Sequence, residues 1–478
     1  MYYRLKEPWA FRGWKKLPFA ICALAGEKKH AEPFLMEKEP FLDLLYCNGE
    51  EKVDSADFCE KGRRILQELI NAGIIEASDQ PLPSLSPFQR YHVYPSRLVK
   101  SVHWSITGKC NFCCRHCLVS APNAHHPQLP LADCLHIVDE IAGCGIRRVD
   151  ITGGEPLVRK DFAEIVKALS ESDIDIGVLF TNASLLTKDT LDMMLRYHQH
   201  PNFQLSFDGL HHHDWLRGVP GAEKQADAAF RLLKQYGFPV NVAMCIHREN
   251  RDSLLDTALY LADLGVTNLR VNAPQNLGIW KQYSAEYALT EEEVWAVYRE
   301  FIDQYFQEGM PIGVELDGYF RCEKGKTNYK VSYVHHAKKN ADWSRYPYCE
   351  SVRHNLYIGP DGRLAPCMGF SDTALKDRFP SVLERPLGEL TLAGYYHDVV
   401  ETKISDYLAK NPDCRTCECL HACCGGCMIE GITDDGDFLV PDSRCCYFHK
   451  HIGEQAVRAA ADGAIAKYYP DGSERGNL

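Results

Sequence analysis

Cysteines are the residues of this sequence whose spacing first points to chemistry. Four of them fall in the segment Cys110-Asn111-Phe112-Cys113-Cys114-Arg115-His116-Cys117. Cys110, Cys114 and Cys117 form a CxxxCxxC pattern, which brings three soft thiolates within reach of one cubane iron–sulfur cluster and leaves its fourth iron free for a substrate or cofactor. A structural zinc site is the alternative, but such sites normally close their coordination sphere, and this loop offers no obvious fourth ligand. We expect Cys113 to face the core.

A second cysteine-rich region lies near the C terminus. Its pattern is Cys349-x12-Gly362-x4-Cys367, then Cys414-x2-Cys417-x5-Cys423-x3-Cys427, then the adjacent Cys445 and Cys446. Iron–sulfur clusters or a pair of zinc sites would suit these ligands. The chain has 21 cysteines, an odd number that excludes complete internal pairing and favours metal ligands in a reducing compartment. We expect this region to depend on metal for its fold.

Length and composition describe a globular chain. At roughly 150 residues per domain, 478 residues predict about three domains. The net charge of -12 argues against a general nucleic-acid binder, and no apolar run approaches the roughly 18 residues of a membrane span. Lys15 and Lys16, followed by an apolar run, imitate a signal peptide, but oxygen-sensitive clusters argue against export. We therefore expect a cytoplasmic protein.

From about residue 100, short apolar strands alternate with amphipathic helices. Six consecutive strand–helix units favour a parallel sheet covered by helices, a barrel or part of one, with functional residues at the carboxyl ends of the strands. The candidate strands are Ser101–Ile106, Arg148–Thr152, Ile176–Thr181, Phe203–Phe207, Val240–Ile246 and Leu269–Val271. The candidate helices between and after them are Leu131–Ala142, Asp161–Leu169, Lys188–Met194, Glu223–Tyr236, Asp252–Leu264 and Glu291–Gln307.

A glycine pair stands at the end of the second of these strands, in Thr152-Gly153-Gly154-Glu155-Pro156. Two glycines allow the backbone to approach a ligand closely, although alone they would indicate only a turn. Together with the upstream CxxxCxxC at a strand end, the motif resembles the radical S-adenosylmethionine (SAM) superfamily. The resemblance implies that Cys110, Cys114 and Cys117 hold a 4Fe-4S cluster whose open iron chelates SAM. Reduction would then give a 5'-deoxyadenosyl radical that abstracts hydrogen, which makes the protein an oxidoreductase.

Polar residues at later strand ends continue this resemblance. It implies cofactor contacts from Gly153, Gly154, Glu155, Thr181, Asn182, Ser206 and Arg217. For Ser206 and Arg217, a strand-end hydrogen bond and a surface ion pair are the alternatives. His116 departs from the family, which usually has an aromatic residue there, and it bears on adenine packing, not on cluster ligation. No catalytic residue is identified.

The C-terminal cysteines resemble the SPASM extension of radical SAM enzymes that modify peptides and proteins. The resemblance implies two auxiliary 4Fe-4S clusters and so three clusters in all. The first would take Cys349, Cys367 and Cys427, and either Cys322 is its fourth ligand or one of its irons stays open. The second would take Cys414, Cys417, Cys423 and Cys445. We prefer Cys445 to Cys446 because neighbouring side chains of a strand point to opposite sides. Cys419 and Cys424 are alternates or inert thiols.

The fold class that follows is α/β: a partial (β/α)6 TIM-like radical SAM barrel with an N-terminal winged-helix-like α+β module and a C-terminal iron–sulfur (SPASM) domain. The expected boundaries are 1–85, 86–315, 316–455 and a C-terminal helix and tail at 456–478. Residues 18–76 resemble the winged-helix precursor-recognition element of peptide-maturing radical enzymes, which binds a leader peptide as an added strand. The alternative is a small domain that merely packs on the barrel.

Taken together, these resemblances predict a maturase of a ribosomally made peptide. The expected product is a thioether from cysteine to carbon, and next a carbon–carbon or carbon–oxygen crosslink, with a flavodoxin- or ferredoxin-like reductant as a further partner. A peptide epimerase is one alternative, with Cys113, Cys245 or Cys322 as hydrogen donor. Formylglycine formation by a sulfatase maturase is another alternative. In that family an aspartate directly after the second SPASM cysteine acts as the base, but here Met368 follows Cys367. The non-enzymatic alternative is an iron–sulfur or zinc electron carrier or scaffold.

Overall fold

A computed structural model describes residues 1–23, 32–121, 127–335, 337 and 341–470. The strands are β1 (Tyr2–Leu5), β2 (Trp9–Trp14), β3 (Ala20–Ala23), β4 (Phe34–Leu35), β5 (Asn48–Lys52), β6 (Ile75–Ser78), β7 (His92–Tyr94), β8 (Ser101–Ser105), β9 (Arg148–Thr152), β10 (Asp175–Thr181), β11 (Asn202–Ser206), β12 (Val240–Cys245), β13 (Asn268–Asn272), β14 (Gly313–Leu316), β15 (Phe320–Cys322), β16 (Tyr329–Lys330), β17 (Asn355–Ile358) and β18 (Leu364–Ala365).

Helices surround these strands. They are α1 (Lys38–Leu44), α2 (Glu60–Asn71), α3 (Leu131–Gly143), α4 (Phe162–Glu171), α5 (Lys188–Arg196), α6 (His213–Arg217), α7 (Ala222–Tyr236), α8 (Leu254–Asp263), α9 (Ser284–Tyr287), α10 (Glu291–Gln307), α11 (Ser351–His354), α12 (Leu387–Leu390), α13 (Tyr395–Val400), α14 (Ile404–Lys410), α15 (Pro412–Arg415), α16 (Leu420–Cys423), α17 (Ser443–Tyr447) and α18 (Gly453–Tyr468). Within the part of the chain that the structure describes, none of them has the length and apolar character needed to cross a membrane.

The N-terminal module contains two small sheets. One has the order β5-β1-β6 and the other β4-β3-β2-β7. Phe11, Phe41, Leu66 and Leu69 belong to a core that joins the first sheet, α1, α2 and the second sheet. Strand β7 pairs in parallel with β2, so the second sheet extends past the expected boundary at residue 85.

The main sheet has eleven strands in the order β16-β15-β14-β13-β12-β11-β10-β9-β8-β17-β18. The eight strands β17 and β8 to β14 run parallel to one another, whereas β15, β16 and β18 at the two ends of the sheet pair antiparallel. This confirms the predicted α/β fold with a parallel sheet, and all six candidate strands lie within one residue of an observed strand. Strand β17 enters the sheet beside β8 from a distant part of the sequence, which local periodicity cannot reveal.

The two faces of this sheet differ in chemistry. Residues such as Leu205, Val242 and Val271 point towards the covering helices and are fully buried. Alternate residues point to the concave face, and there β11 and β12 have half-buried positions. The interior of an ordinary barrel is filled by bulky apolar side chains, so this accessible concave face distinguishes the present fold from a closed packed barrel.

Helix α10 has the bounds that the sequence predicts, because the two residues that fix its start, Thr290 and Glu293, lie close together in the sequence. The Thr290 hydroxyl accepts a hydrogen bond from the Glu293 N–H, and the Glu293 carboxylate accepts one from the Thr290 N–H, which forms a capping box. In contrast, Cys445 and Cys446 lie on α17 and not on a strand. The strand argument for preferring Cys445 is therefore wrong, since neighbouring helical residues differ by about 100° in direction.

Candidate active site and cysteine clusters

The CxxxCxxC loop follows β8 at the carboxyl edge of the parallel strands. Burial raises the pKa of the Cys110 thiol to about 12, and the nearby thiols of Cys114 and Cys117 raise it as well, so the three sulfurs lie together. Backbone N–H groups point at two of them, from Phe112 to Cys110 at 3.4 Å and from Ala121 to Cys117 at 3.3 Å. A buried group of thiols ionises only if a cation stabilises the thiolates, which suits a metal cluster.

Cys113 does not face the core as we expected, because it is exposed. The neighbouring Phe112 is 3% exposed and takes the buried position instead. The loop has no strand alternation, and the larger apolar side chain gains more from burial than the thiol does.

The Gly153-Gly154 pair allows two backbones to meet. The Gly154 N–H donates to the Thr107 carbonyl at 2.8 Å, and the Glu155 N–H donates to the Lys109 carbonyl at 2.9 Å. A Cβ atom on Gly154 would overlap the Lys109 carbonyl oxygen. The glycines therefore seat the end of β9 directly against the residues that lead into Cys110, a role that the sequence argument for a close ligand approach did not include.

Glu155 joins two strand ends from a buried position. It is 1% exposed, and burial raises the pKa of its carboxyl group to about 7. One carboxyl oxygen accepts from the Thr181 hydroxyl at 2.8 Å, and the other accepts from the Asn182 N–H at 2.7 Å. The Asn182 side chain in turn donates to Asn111 in the cysteine loop at 2.9 Å. Three of the predicted cofactor residues thus hold one another and the loop.

Arg217 reaches the cysteine loop from α6. Its Nε lies 2.7 Å from the fully buried Asp208 carboxylate, and its Nη1 lies 3.9 Å from the Cys114 sulfur. Burial alone would raise the pKa of Asp208, but Arg217 and His213 hold it well below its usual range. The other predicted contact, Ser206, is the half-buried last residue of β11.

Sequence reasoning missed Asp208 as a functional residue. The sequence feature that could have identified Asp208 is its position directly after a predicted strand, nine residues before Arg217. Ligand atoms of His116, Asp208 and Cys245 also lie within 4.8 Å of one another. Burial lowers the pKa of His116 to about 3, so this imidazole is neutral and the ion pair of Asp208 is with Arg217.

The C-terminal cysteines form two groups. In the first, burial raises the pKa of Cys367 to about 12, and Cys427 and Cys349 act in the same direction from nearby. In the second, six sulfur-bearing residues line one cavity of about 90 Å³, namely Cys414, Cys417, Cys419, Cys423, Cys445 and Cys446. The structure therefore brings together the predicted members of each group, and it places both Cys445 and Cys446 at the second.

Cys322 lies apart from the first group. It is on β15, opposite Val314 and therefore near the amino end of β14. Its thiol donates to the Lys326 carbonyl at 3.0 Å within its own hairpin. Because β15 runs antiparallel to β14, Cys322 lies at the edge of the sheet opposite to the one at which the functional loops gather. Its expected part in the first auxiliary cluster therefore finds no support in this geometry.

Comparison with known proteins agrees with the fold and the cysteine loop. Residues 104–261 match the family model described as Radical SAM superfamily. AdoMet-dependent heme synthase of Methanosarcina barkeri is 24% identical over 357 residues, covering 72% of this chain and 96% of that protein. PqqA peptide cyclase of Granulibacter bethesdensis is 24% identical over 372 residues, covering 75% of this chain and 90% of that protein.

Among solved structures, Streptococcus suis SuiB bound to precursor peptide SuiA superposes with a TM-score of 0.61 at 15% sequence identity, covering 93% of this chain and 99% of that one. The chain thus contains a radical SAM domain and is an enzyme of that class. Its homologues within the class include peptide maturases as well as heme synthases.

Proposed function

We propose that this radical SAM enzyme installs an intramolecular crosslink in a ribosomally made peptide. A bond from a cysteine sulfur to carbon is the favoured product, ahead of carbon–carbon and carbon–oxygen bonds. The observation that carries this choice is the group Cys349, Cys367 and Cys427, which gathers three thiols while the fourth candidate, Cys322, lies elsewhere. A cluster held by three thiolates keeps an iron that can bind a substrate thiolate.

The residues present fit the cofactors of the class. Cys110, Cys114 and Cys117 would hold a 4Fe-4S cluster, and Gly153, Gly154, Glu155, Thr181, Asn182, Ser206 and Arg217 remain the proposed surroundings of SAM. When bound, this cofactor pair supplies a radical that removes a hydrogen atom from the substrate. We further propose two auxiliary 4Fe-4S clusters, at the first and second cysteine groups.

The protein's own part is positioning. Asp208 orients Arg217 so that a guanidinium N–H points at the Cys114 sulfur, which stabilises negative charge on that thiolate. Glu155 ties the ends of β9 and β10 together beside the loop. These buried contacts keep the cysteine loop in one geometry and restrict water at the reacting centre.

A peptide partner is supported at the N-terminal module. Strand β4 is at the edge of its sheet, and its Phe34 and Leu35 are exposed. An extended leader peptide could pair with such an edge and raise the concentration of its core at the barrel. The SuiB structure, which contains a precursor peptide, shares its fold with 93% of this chain. This shared architecture supports a peptide substrate.

The test is anaerobic turnover of the reconstituted enzyme with SAM, a flavodoxin- or ferredoxin-like reductant and the small peptide encoded beside its gene. Mass spectrometry in light and heavy water should show loss of two hydrogens with release of 5'-deoxyadenosine. Alkylation of the remaining thiols then distinguishes a thioether from a carbon linkage. The matched control replaces Cys110, Cys114 and Cys117 by alanine and should release no deoxyadenosine.

Other outcomes would identify other functions. An unchanged mass in light water, with deuterium incorporated in heavy water, would indicate an epimerase. Conversion of a peptide cysteine or serine to an aldehyde would indicate formylglycine formation. If the cluster is intact and neither peptide nor tetrapyrrole provokes deoxyadenosine release, the catalytic proposal fails. Because the clusters are readily oxidised, we propose that the enzyme works in a reducing cytoplasm.

A further inference from the structure

Three carboxylates follow the strands β9, β11 and β14 at the carboxyl edge of the barrel, and one of them differs from the others. Glu155 follows β9, Asp208 follows β11 and Asp317 follows β14. Glu155 and Asp208 are at most 1% exposed, and their oxygens accept hydrogen bonds from the protein. The Asp317 side chain is 26% exposed. It is thus the carboxylate of these three that a substrate can reach.

Asp317 faces the concave side together with Arg270. The Arg270 Nη2 lies 3.4 Å from the Asp317 carboxylate, and the Arg270 Nε lies 3.7 Å from Glu315. Residues 315 and 317 share one face because side chains of a strand alternate. The Asp317 N–H donates to the Val271 carbonyl at 2.9 Å, which places Asp317 at the rim, about 7 Å beyond Glu315 along the strand.

Asp317 also lies near Cys245 and Arg444, which are linked through other residues to the two cysteine regions. Burial raises the pKa of Cys245 to about 12, with further contributions that include Asp317, and the Cys245 N–H donates to Asp208, the partner of Arg217. On the other side, burial would lower the pKa of Arg444, but surrounding acidic groups, Asp317 among them, raise it. Arg444 lies 3.5 Å from Glu430, whose charge in turn raises the pKa of Cys427.

We propose that Asp317 is the base that takes the proton of the peptide's bond-forming group. This inference rests on the proposed crosslinking function. Joining a C–H carbon to an X–H group removes two hydrogens. One leaves as a hydrogen atom and ends in 5'-deoxyadenosine. For the other, the electron passes to an oxidised iron–sulfur cluster and the proton passes to Asp317, while the C–X bond forms.

Several charged and titratable groups lie near Asp317 and define its electrostatic setting. They are Arg270 on β13, Glu315 on β14, Cys245 on β12, Tyr298 on α10, and Tyr333, Glu430 and Arg444 from the later part of the chain. Arg270 is itself half exposed, so it can shift towards a peptide without unfolding the strand.

The test compares Asp317→Asn with Glu315→Gln. Both carboxylates pair with Arg270 and have nearly equal exposure, at 26% and 27%, so each variant leaves Arg270 one acidic partner. We expect Asp317→Asn to lower crosslink formation about 100-fold or more, while deoxyadenosine release continues. Glu315→Gln should stay within about threefold of the parent enzyme, since Glu315 lies deeper in the barrel. The residual rate of Asp317→Asn should rise with pH, because hydroxide must then remove the proton.

Two measurements that do not depend on turnover complete the design. Thermal unfolding should show both variants folded, and fluorescence anisotropy of a labelled precursor peptide should show unchanged affinity. If Asp317→Asn crosslinks like the parent, or loses affinity in proportion to rate, the assignment of a base is wrong. Equal losses in both variants would also overturn it. If the parent enzyme itself forms no crosslink, the proposed function fails instead, and the two failures are therefore distinguishable.

Discussion

The two cysteine regions of this enzyme are positioned by different kinds of structure. The CxxxCxxC loop leaves a central strand, and backbone hydrogen bonds to Gly154 and Glu155 hold the residues that lead into it. The second C-terminal group lies on and between α14 to α17, which have 7, 4, 4 and 5 residues. Helices this short are unstable on their own, because the free-energy cost of helix nucleation exceeds the stabilisation from one or two turns of hydrogen bonds.

This difference in supporting structure indicates which set of cysteine ligands is already assembled before metal binds. The sheet organises the radical loop, so its three sulfurs meet without a cluster. The thiols of the second C-terminal group meet in a cavity that six cysteines line together with residues of short helices and loops. We infer that metal contributes to folding there and contributes little to folding at the radical loop.

Iron removal should produce the largest effect. Structural metal sites contribute on the order of 10 kcal/mol to the folding of small domains. Anaerobic chelation should therefore open residues 404–453 to limited proteolysis, mapped by mass spectrometry, while helices α3 to α10 stay protected. Identical cleavage patterns with and without iron would show that apolar packing alone holds the C-terminal region.

On the radical side, Asp208→Asn should cost roughly 3–5 kcal/mol of unfolding free energy, because it leaves the buried Arg217 guanidinium without a counter-charge. Urea denaturation measures the loss. Asp434→Asn is the matched control, since Asp434 pairs with Lys281 at 2.9 Å but is 95% exposed, and it should cost less than about 1 kcal/mol. Equal losses of unfolding free energy in the two variants would mean that the Asp208–Arg217 pair does not stabilise the structure around the CxxxCxxC loop.

A smaller effect should come from Gly154→Ala, whose methyl group would overlap the Lys109 carbonyl. Overpacking of this kind costs about 1–3 kcal/mol, and the displaced loop should also slow deoxyadenosine release. Gly463→Ala, in α18 with no atom near the added methyl, should instead stabilise the protein by about 0.5–1 kcal/mol. Unaltered release in Gly154→Ala would show that the loop does not rely on this close approach.

The smallest effect concerns pH. Burial raises the pKa of Glu155 to about 7, above the roughly 4.3 of an unfolded chain. The folded state therefore holds this proton more tightly, and the unfolding free energy should fall by about 1 kcal/mol between pH 6 and pH 7.5, with little further change above. Glu155→Gln should lack this slope in urea titrations. Parallel pH curves for the two proteins would contradict the assignment.

Much of the barrel was predictable because its signals are local. Short apolar runs in the sequence predict the buried strands, and the capping residues Thr290 and Glu293 indicate where α10 begins. The CxxxCxxC motif was predictable for the same reason, since its three cysteines lie within eight residues of sequence. The exposed position of Cys113 and the helical setting of Cys446 were not predicted. The adjacent Phe112 takes the buried position instead of Cys113, and Asp442 caps a short helix where a strand was assumed.

The carboxylates show the same division. Glu155 was found because it adjoins the glycine pair, whereas Asp208 and Asp317 belong to no recognised spacing. Their roles depend on Arg217 and Arg270, which reach them across strand ends and between strands.

By itself, the sequence determined the radical SAM class, the alternation of strands and helices, and the cysteines available as ligands. Only the tertiary structure decided that β17 joins the sheet beside β8, that Cys322 lies away from the first cysteine group, and that Asp317 stands at the rim beside Arg270. The physical reason is range. Propensity and spacing act over a few residues, whereas burial and charge pairing depend on which distant segments meet.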